Sequence, residues 1–144
     1  QSLYYDVFIN NAFDGPPDEV WGNYGQVKVL MEVFKLWKFH KKTGWIFNIG
    51  SSGVDGSYTI PKAALDKASE ECSKAFKRNE VKFKTTIIRP SRLDTPLSRS
   101  RATWTGNGIK CLDLAKFIEY AVEVNPNTII EDITFGLDAE WNNG

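Results

Sequence analysis

Residues 44–69, GWIFNIGSSGVDGSYTIPKAALDKAS, decide the fold. The first ten, 44–53, are a short aromatic and β-branched run that breaks into a glycine- and serine-rich loop, which predicts a buried strand and its exit turn. Beyond Pro61 the period changes. Ala64, Leu65, Ala68, Cys72, Ala75 and Phe76 recur at helical spacing, while Lys and Glu fill the opposite side, so a helix with one apolar face follows the strand. Pro61 suits only the first turn of that helix, where its missing N–H has no partner to lose.

The same alternation continues on either side. Upstream, YDVFINNA at 5–12 predicts a strand ending in a turn, and Val27, Leu30, Met31, Phe34 and Trp37 mark one face of a helix over 24–40. Downstream, FKTTIIRP at 83–90 predicts a strand stopped by Pro90. A polar stretch, 91–110, has little pattern. A helix over 112–123 and a strand at 128–135 close the series. Strand and helix in strict alternation predict an α/β fold, a doubly wound parallel sheet covered on both faces, with right-handed crossovers. Ligands of such sheets bind beyond the carboxyl ends of the strands, so the loops after Ile9, Ile49 and Ile88 should share one functional edge.

The 144 residues suit one domain rather than two. Eighteen basic and eighteen acidic residues cancel, which gives no electrostatic ground for a nucleic-acid partner. Lys35, Lys38, Lys41 and Lys42 read as the wet face of a helix. The chain has no apolar run long enough to span a bilayer and no secretory pattern, and no metal is expected. Cys72 and Cys111 read as free thiols of a reducing compartment, so a cytoplasmic protein is expected. The only methionine is Met31 and the chain begins at Gln1, so a start set by processing, by a cloned fragment or by further upstream residues is expected.

Tyr58 and Lys62 are four residues apart, a spacing that puts two side chains on one helix face. A phenol ordinarily ionises at about pH 10. A neighbouring ammonium favours the phenolate and brings proton exchange with an alcohol or carbonyl oxygen toward neutral pH. Ser51 and Ser52, just upstream, offer hydroxyls for the same oxygen. Alone, such a pair is weak evidence, since most are unconnected surface residues.

It occurs within an ordered set. DVFINNA, WIFNIGSS, YTIPKAALDKAS and IIRPSRLDTP, in this order, resemble four motifs of the short-chain dehydrogenase/reductase family, and DLAKFIEYAV and IIEDITF are similar to that family's last helix and strand. The resemblance runs from Tyr5 to Phe135 and implies a Rossmann-like sheet, NAD or NADP as cofactor, and hydride transfer between nicotinamide and a hydroxyl or carbonyl substrate. It makes Tyr58 the general acid/base, and Lys62 the group that lowers its pKa and hydrogen-bonds the nicotinamide ribose. Ser52, in preference to Ser51, would hold the substrate oxygen.

Asn23, twenty-one residues before Gly44, matches the family's catalytic asparagine; a helix N-cap is the alternative. Asn10 and Ala12 would line the cofactor cleft, although Asn10 and Asn11 also read as turn residues. Pro90 and Thr95 fall in the segment whose threonine contacts the carboxamide, with a capping hydroxyl before Pro96 as the plainer role for Thr95. Trp104, between possible hinges at Gly106 and Gly108, falls where the family has a substrate lid, or in a disordered loop. The resemblance also implies a homodimer or homotetramer built on helices 24–40 and 58–78, with Ala64, Ala68 and Ala75 permitting close approach.

The chain departs from the pattern in places. Phe13 stands where the first turn has glycine, Ser91 follows Pro90, and Tyr58 comes only six positions after Ser52, a shorter spacing than in the family. The glycine-rich turn that brings a helix N-terminus to the pyrophosphate does not occur in 1–144. One domain, 1–144, incomplete at its N-terminus, is therefore expected. The alternative to an enzyme is a non-catalytic sensor, scaffold or assembly subunit with the same fold.

Overall fold

The computed structural model describes residues 5–11, 24–52, 59–102, 104–123 and 127–137. Four parallel strands form the main sheet: β1 (Tyr5–Asn10), β2 (Thr43–Ile49), β3 (Lys82–Pro90) and β6 (Asp132–Phe135), in the order β1-β2-β3-β6. Helix α1 (Gly25–Phe39) joins β1 to β2, and α2 (Thr59–Lys77) joins β2 to β3. Between β3 and β6 run β4 (Leu93–Asp94), α3 (Pro96–Arg99), β5 (Ile109–Lys110) and α4 (Cys111–Glu123). No helix among the described residues is long and apolar enough to cross a membrane.

The two central strands are buried on both faces, which is why they read as continuous apolar runs. Alternate residues serve two cores. Leu30, Ile46, Leu65, Ala75, Phe83 and Ile87 form one, with α1 and α2 over it; Trp45, Phe47, Ile49, Ile88, Leu114 and Ile118 form the other, under α4. On the first face the rings of Phe34 and Trp37 meet Phe83 edge-on at 5.3 and 5.4 Å. On the second, Trp45 stacks on Phe47 and donates its Nε1 proton to Thr86 Oγ1 at 2.7 Å.

Helix positions confirm most of the stripes and correct one. Met31 is half exposed, and Val33 packs on the core in its stead. One residue past Leu30, at about 100° per residue, Met31 turns out of a stripe centred on Leu30, Phe34 and Trp37. Both α1 and α2 end without glycine. Lys41 and Asn79 take left-handed conformations (φ 52° and 59°), and the next N–H groups, of Lys42 and Glu80, reach back to the carbonyls of Trp37 and Ala75. Gly44 is required for another reason: a Cβ there would lie 2.2 Å from the Asp6 carbonyl oxygen, its neighbour across the β1–β2 ladder.

Two expectations fail. The strands lie in sequence order and are all parallel, yet α1 and α2 cover one face and α4 the other, so the third crossing has the opposite hand to the first two. The preference for right-handed crossings belongs to short βαβ units, and this connection passes through β4, α3 and β5 first. That polar stretch also carries structure among its described residues: Leu93 and Asp94 pair with Ile109 and Lys110 in a second small sheet, and Asp94 binds the Arg99 guanidinium. Periodicity missed it because two-residue strands have no period to read.

Phe83 is fully buried and closes the core beneath α1. Phe83→Ala should destabilise the protein by about 3–5 kcal/mol in urea unfolding, the usual cost of an aromatic-sized cavity.

Candidate functional site

A buried polar seam crosses the carboxyl-terminal tips of β1 and β2. Asn10 and Asn48 are register partners on these strands, and both are fully buried on the α1–α2 face. Asn10 Nδ2 donates to Asn48 Oδ1 and to the Gln26 backbone carbonyl, each at 2.9 Å. Asn48 Nδ2 donates to Ser69 Oγ on α2 at 3.2 Å. Gln26, in the first turn of α1, donates through Nε2 to the carbonyl oxygens of Asn10 (2.8 Å) and Ile49 (2.7 Å). Asn10 Oδ1 is a buried acceptor with no hydrogen-bond partner among the described residues.

Lys62 ends this seam. It sits in the first turn of α2, only 6% exposed, and its ammonium donates to Gln26 Oε1 at 2.8 Å and to the Ile49 carbonyl at 3.1 Å. Pro61 occupies that same first turn, as its chemistry requires. Loss of hydration lowers the Lys62 pKa from 10.5 to about 8, against the opposing pull of the Asp66 carboxylate one turn on. The lysine therefore remains charged at neutral pH and titrates just above it. Asp66 is itself tied to Arg89 at 2.9 Å, and Arg89 also binds Asp132.

Of the residues the sequence nominates, Asn10, Lys62, Ser52 and Pro90 lie at this edge of the sheet. Asn10 joins the seam through its Nδ2 and its backbone carbonyl. Ser52 follows β2 and is half-buried, its N–H bonded to the Pro90 carbonyl at 3.1 Å, and Ser51 is half-buried beside it. The Thr95 hydroxyl caps α3, accepting from the Ser98 N–H at 3.1 Å and donating to Ser98 Oγ. Trp104 is half-buried, with the Arg99 guanidinium 5.9 Å from its ring centre. Tyr58, Asn23 and Ala12 lie outside the described residues.

Sequence reasoning missed Gln26 and Asn48. Each had a signal. Gln26 falls on the apolar stripe four residues before Leu30, and Asn48 interrupts an apolar central strand; a polar group in a buried position is the informative exception. The small residues of α2 serve this chain's own core: Ala75 is buried in it and Ala68 packs against it. Both thiols are free; burial pushes that of Cys72 up to about 11, and Cys111 is exposed. A cleft of about 450 Å³ opens elsewhere, between α2 and the β3–β6 edge. The Lys77–Glu131 and Arg89–Asp132 ion pairs line it.

Comparison with solved structures accords with this architecture. A 3-ketoacyl-(acyl-carrier-protein) reductase from Brucella melitensis, complexed with NADH, is 16% identical, with a TM-score of 0.65 over 90% of this chain and 64% of that one. A short chain dehydrogenase from Burkholderia cenocepacia, in complex with NADP, is 16% identical, with a TM-score of 0.63 over 95% and 64%. A short-chain type dehydrogenase/reductase from Mycobacterium marinum is 15% identical, with a TM-score of 0.67 over 90% and 63%. No family profile and no curated protein sequence matches. At such identities the likeness defines the fold: a partial, Rossmann-like sheet of the short-chain dehydrogenase/reductase type. The chain spans about 64% of the length of these structures.

A lysine that ionises at about 8 folded and 10.5 unfolded holds fewer protons in the folded state between those values. Unfolding takes up a proton across that window, so stability rises with pH from about 8 to 10.5, and the cost of the buried charge stands in full below it. Relative to Lys62→Met, the wild-type protein should gain about 3 kcal/mol over this range in paired urea titrations, and nothing between pH 6 and 7.5, to order of magnitude.

Proposed function

We propose that this chain is the nicotinamide- and substrate-side portion of an NAD(P)-dependent oxidoreductase acting on a hydroxyl or carbonyl carbon. The observation that carries the reading is the buried Lys62 at the strand tips, held between α1, α2 and β2 on a fold whose structural neighbours include an NADH and an NADP complex. Binding beyond the strand tips is the rule for such sheets.

The chemistry at these tips suits the nicotinamide end of the cofactor: a buried ammonium to bond ribose hydroxyls, and half-buried serines on the neighbouring loop. A bound dinucleotide would supply the hydride donor or acceptor. In this reading Tyr58 exchanges the proton of the substrate oxygen, Lys62 holds its phenol toward the phenolate by fixed positive charge, and Ser52 orients that oxygen. Asn23 completes the set, Thr95 meets the carboxamide of the nicotinamide, and Trp104 contacts the substrate. The substrate is a small molecule, and a cytoplasmic location agrees with the two free thiols. On β1, Val7 and Ile9 are 42% and 48% exposed, and a preceding dinucleotide-binding half would pack there.

A homodimer or homotetramer, meeting through α1 and α2, belongs to the same proposal. The exposed side of α1 carries Met31, Leu36 and Phe39. Sedimentation of the intact protein as a monomer at micromolar concentration would remove it. The rival reading, a non-catalytic sensor, scaffold or assembly subunit, draws support from the Thr95 hydroxyl, which is engaged in capping α3.

Cofactor binding separates the two. NADH or NADPH added to the intact protein should quench tryptophan fluorescence saturably. Lys62→Met should weaken that binding about ten- to a hundredfold, the worth of a hydrogen bond from a charged donor. An intact protein that binds neither nucleotide is not a dehydrogenase.

A further inference from the structure

The geometry points to Gln26 as the positioning residue for Lys62: its carboxamide is locked by two backbone carbonyls so that only its oxygen can face the buried ammonium. The role rests on the oxidoreductase reading for its use in cofactor binding, but not for its physical effect.

A carboxamide has two N–H donors and one carbonyl oxygen. Both donors of Gln26 are used, on the Asn10 carbonyl at 2.8 Å and the Ile49 carbonyl at 2.7 Å. A flipped amide would set its oxygen against those two acceptors and its N–H groups against an ammonium, so the network dictates the orientation. Oε1 is left to accept from Lys62 Nζ at 2.8 Å. The Ile49 carbonyl accepts from both side chains, which fixes the ammonium at the end of β2. Gln26 is itself only 4% exposed, so water cannot replace it readily.

The side chain therefore has two effects on Lys62. It aims the ammonium, because the acceptor cannot rotate away. Its accepted hydrogen bond also favours the charged form, beside the Asp66 carboxylate that opposes the desolvation lowering the lysine's pKa. The charged group acting on Lys62 among the described residues is Asp66 of its own helix, already bound to Arg89 of β3, and through it to Asp132 of β6. Gln26 of α1 and the tips of β1 and β2 supply uncharged groups. Tyr58 is the further titratable residue that the sequence sets beside the lysine.

The test is the titration of Lys62 itself, followed by NMR of the intact protein labelled at its lysine side chains and assigned with Lys62→Met. The wild-type signal should titrate near pH 8. Gln26→Met removes the acceptor with little change of shape and should lower the midpoint by about one unit or more, whereas Gln26→Glu should raise it by a similar amount. The pH at which NADH or NADPH binding is lost should move with the midpoint. A merely structural glutamine would weaken the fold and leave the titration where it was.

An unmoved Lys62 midpoint in Gln26→Met overturns the proposal; if that variant does not fold, an unmoved midpoint in Gln26→Glu does so. Displaced midpoints without nucleotide binding by the wild type would support the positioning role and sink the oxidoreductase reading, so the two claims fail separately.

Discussion

An ammonium is buried where the sheet ends, and much of the surrounding structure follows from that. Burying an unpaired charge is far costlier than burying an amide, so Lys62 requires acceptors that stay in place. They come from the Ile49 carbonyl, at the last residue of β2, and from the Gln26 carboxamide at the start of α1. Gln26 in turn needs acceptors for its own donors and finds them on β1 and β2. Asn10 and Asn48 extend the chain of bonds to Ser69 on α2. One charge thus ties together two strand tips and the first turns of two helices.

The rest of the sandwich makes such a seam tolerable. Apolar side chains from the two faces of β2 and β3 feed separate cores, and the seam lies at one end of the first. Thr86 is the corresponding exception on the other face, where it satisfies the Trp45 N–H and itself donates to the Ile130 carbonyl. In both cases a buried polar atom is held between neighbouring strands, so the hydrogen bonds also fix which residues stand opposite one another. Outside these seams the ion pairs are mostly exposed, as along Lys67, Glu70, Glu71 and Lys74 of α2, and contribute little to stability.

Most of the fold was legible in the sequence. Strand runs at 5–12, 44–53 and 83–90 correspond to β1, β2 and β3, and the stripes of α1, α2 and α4 lie where their spacing put them, Met31 apart. Of the candidate site, Lys62 was found through its spacing from Tyr58, whereas Gln26, its acceptor, was not, because a hydrogen bond between residues 36 positions apart has no local signature. Thr95 took the plainer of its two readings as a cap. Two of the small alanines of α2, Ala68 and Ala75, serve the chain's own core, the other reading that their size allowed, since a small residue on a helix permits close approach equally to a sheet or to another helix.

The amino-acid sequence alone determined the alternation of strands and helices, the strand edge at which chemistry would sit, and the motif order that resembles a dehydrogenase, because periodicity and turn chemistry are local. Tertiary structure alone decided the opposite hand of the last crossing, the second small sheet within 91–110, and the partners of Lys62. Each of these depends on which distant groups meet once the sheet has formed, and on how much water that meeting excludes.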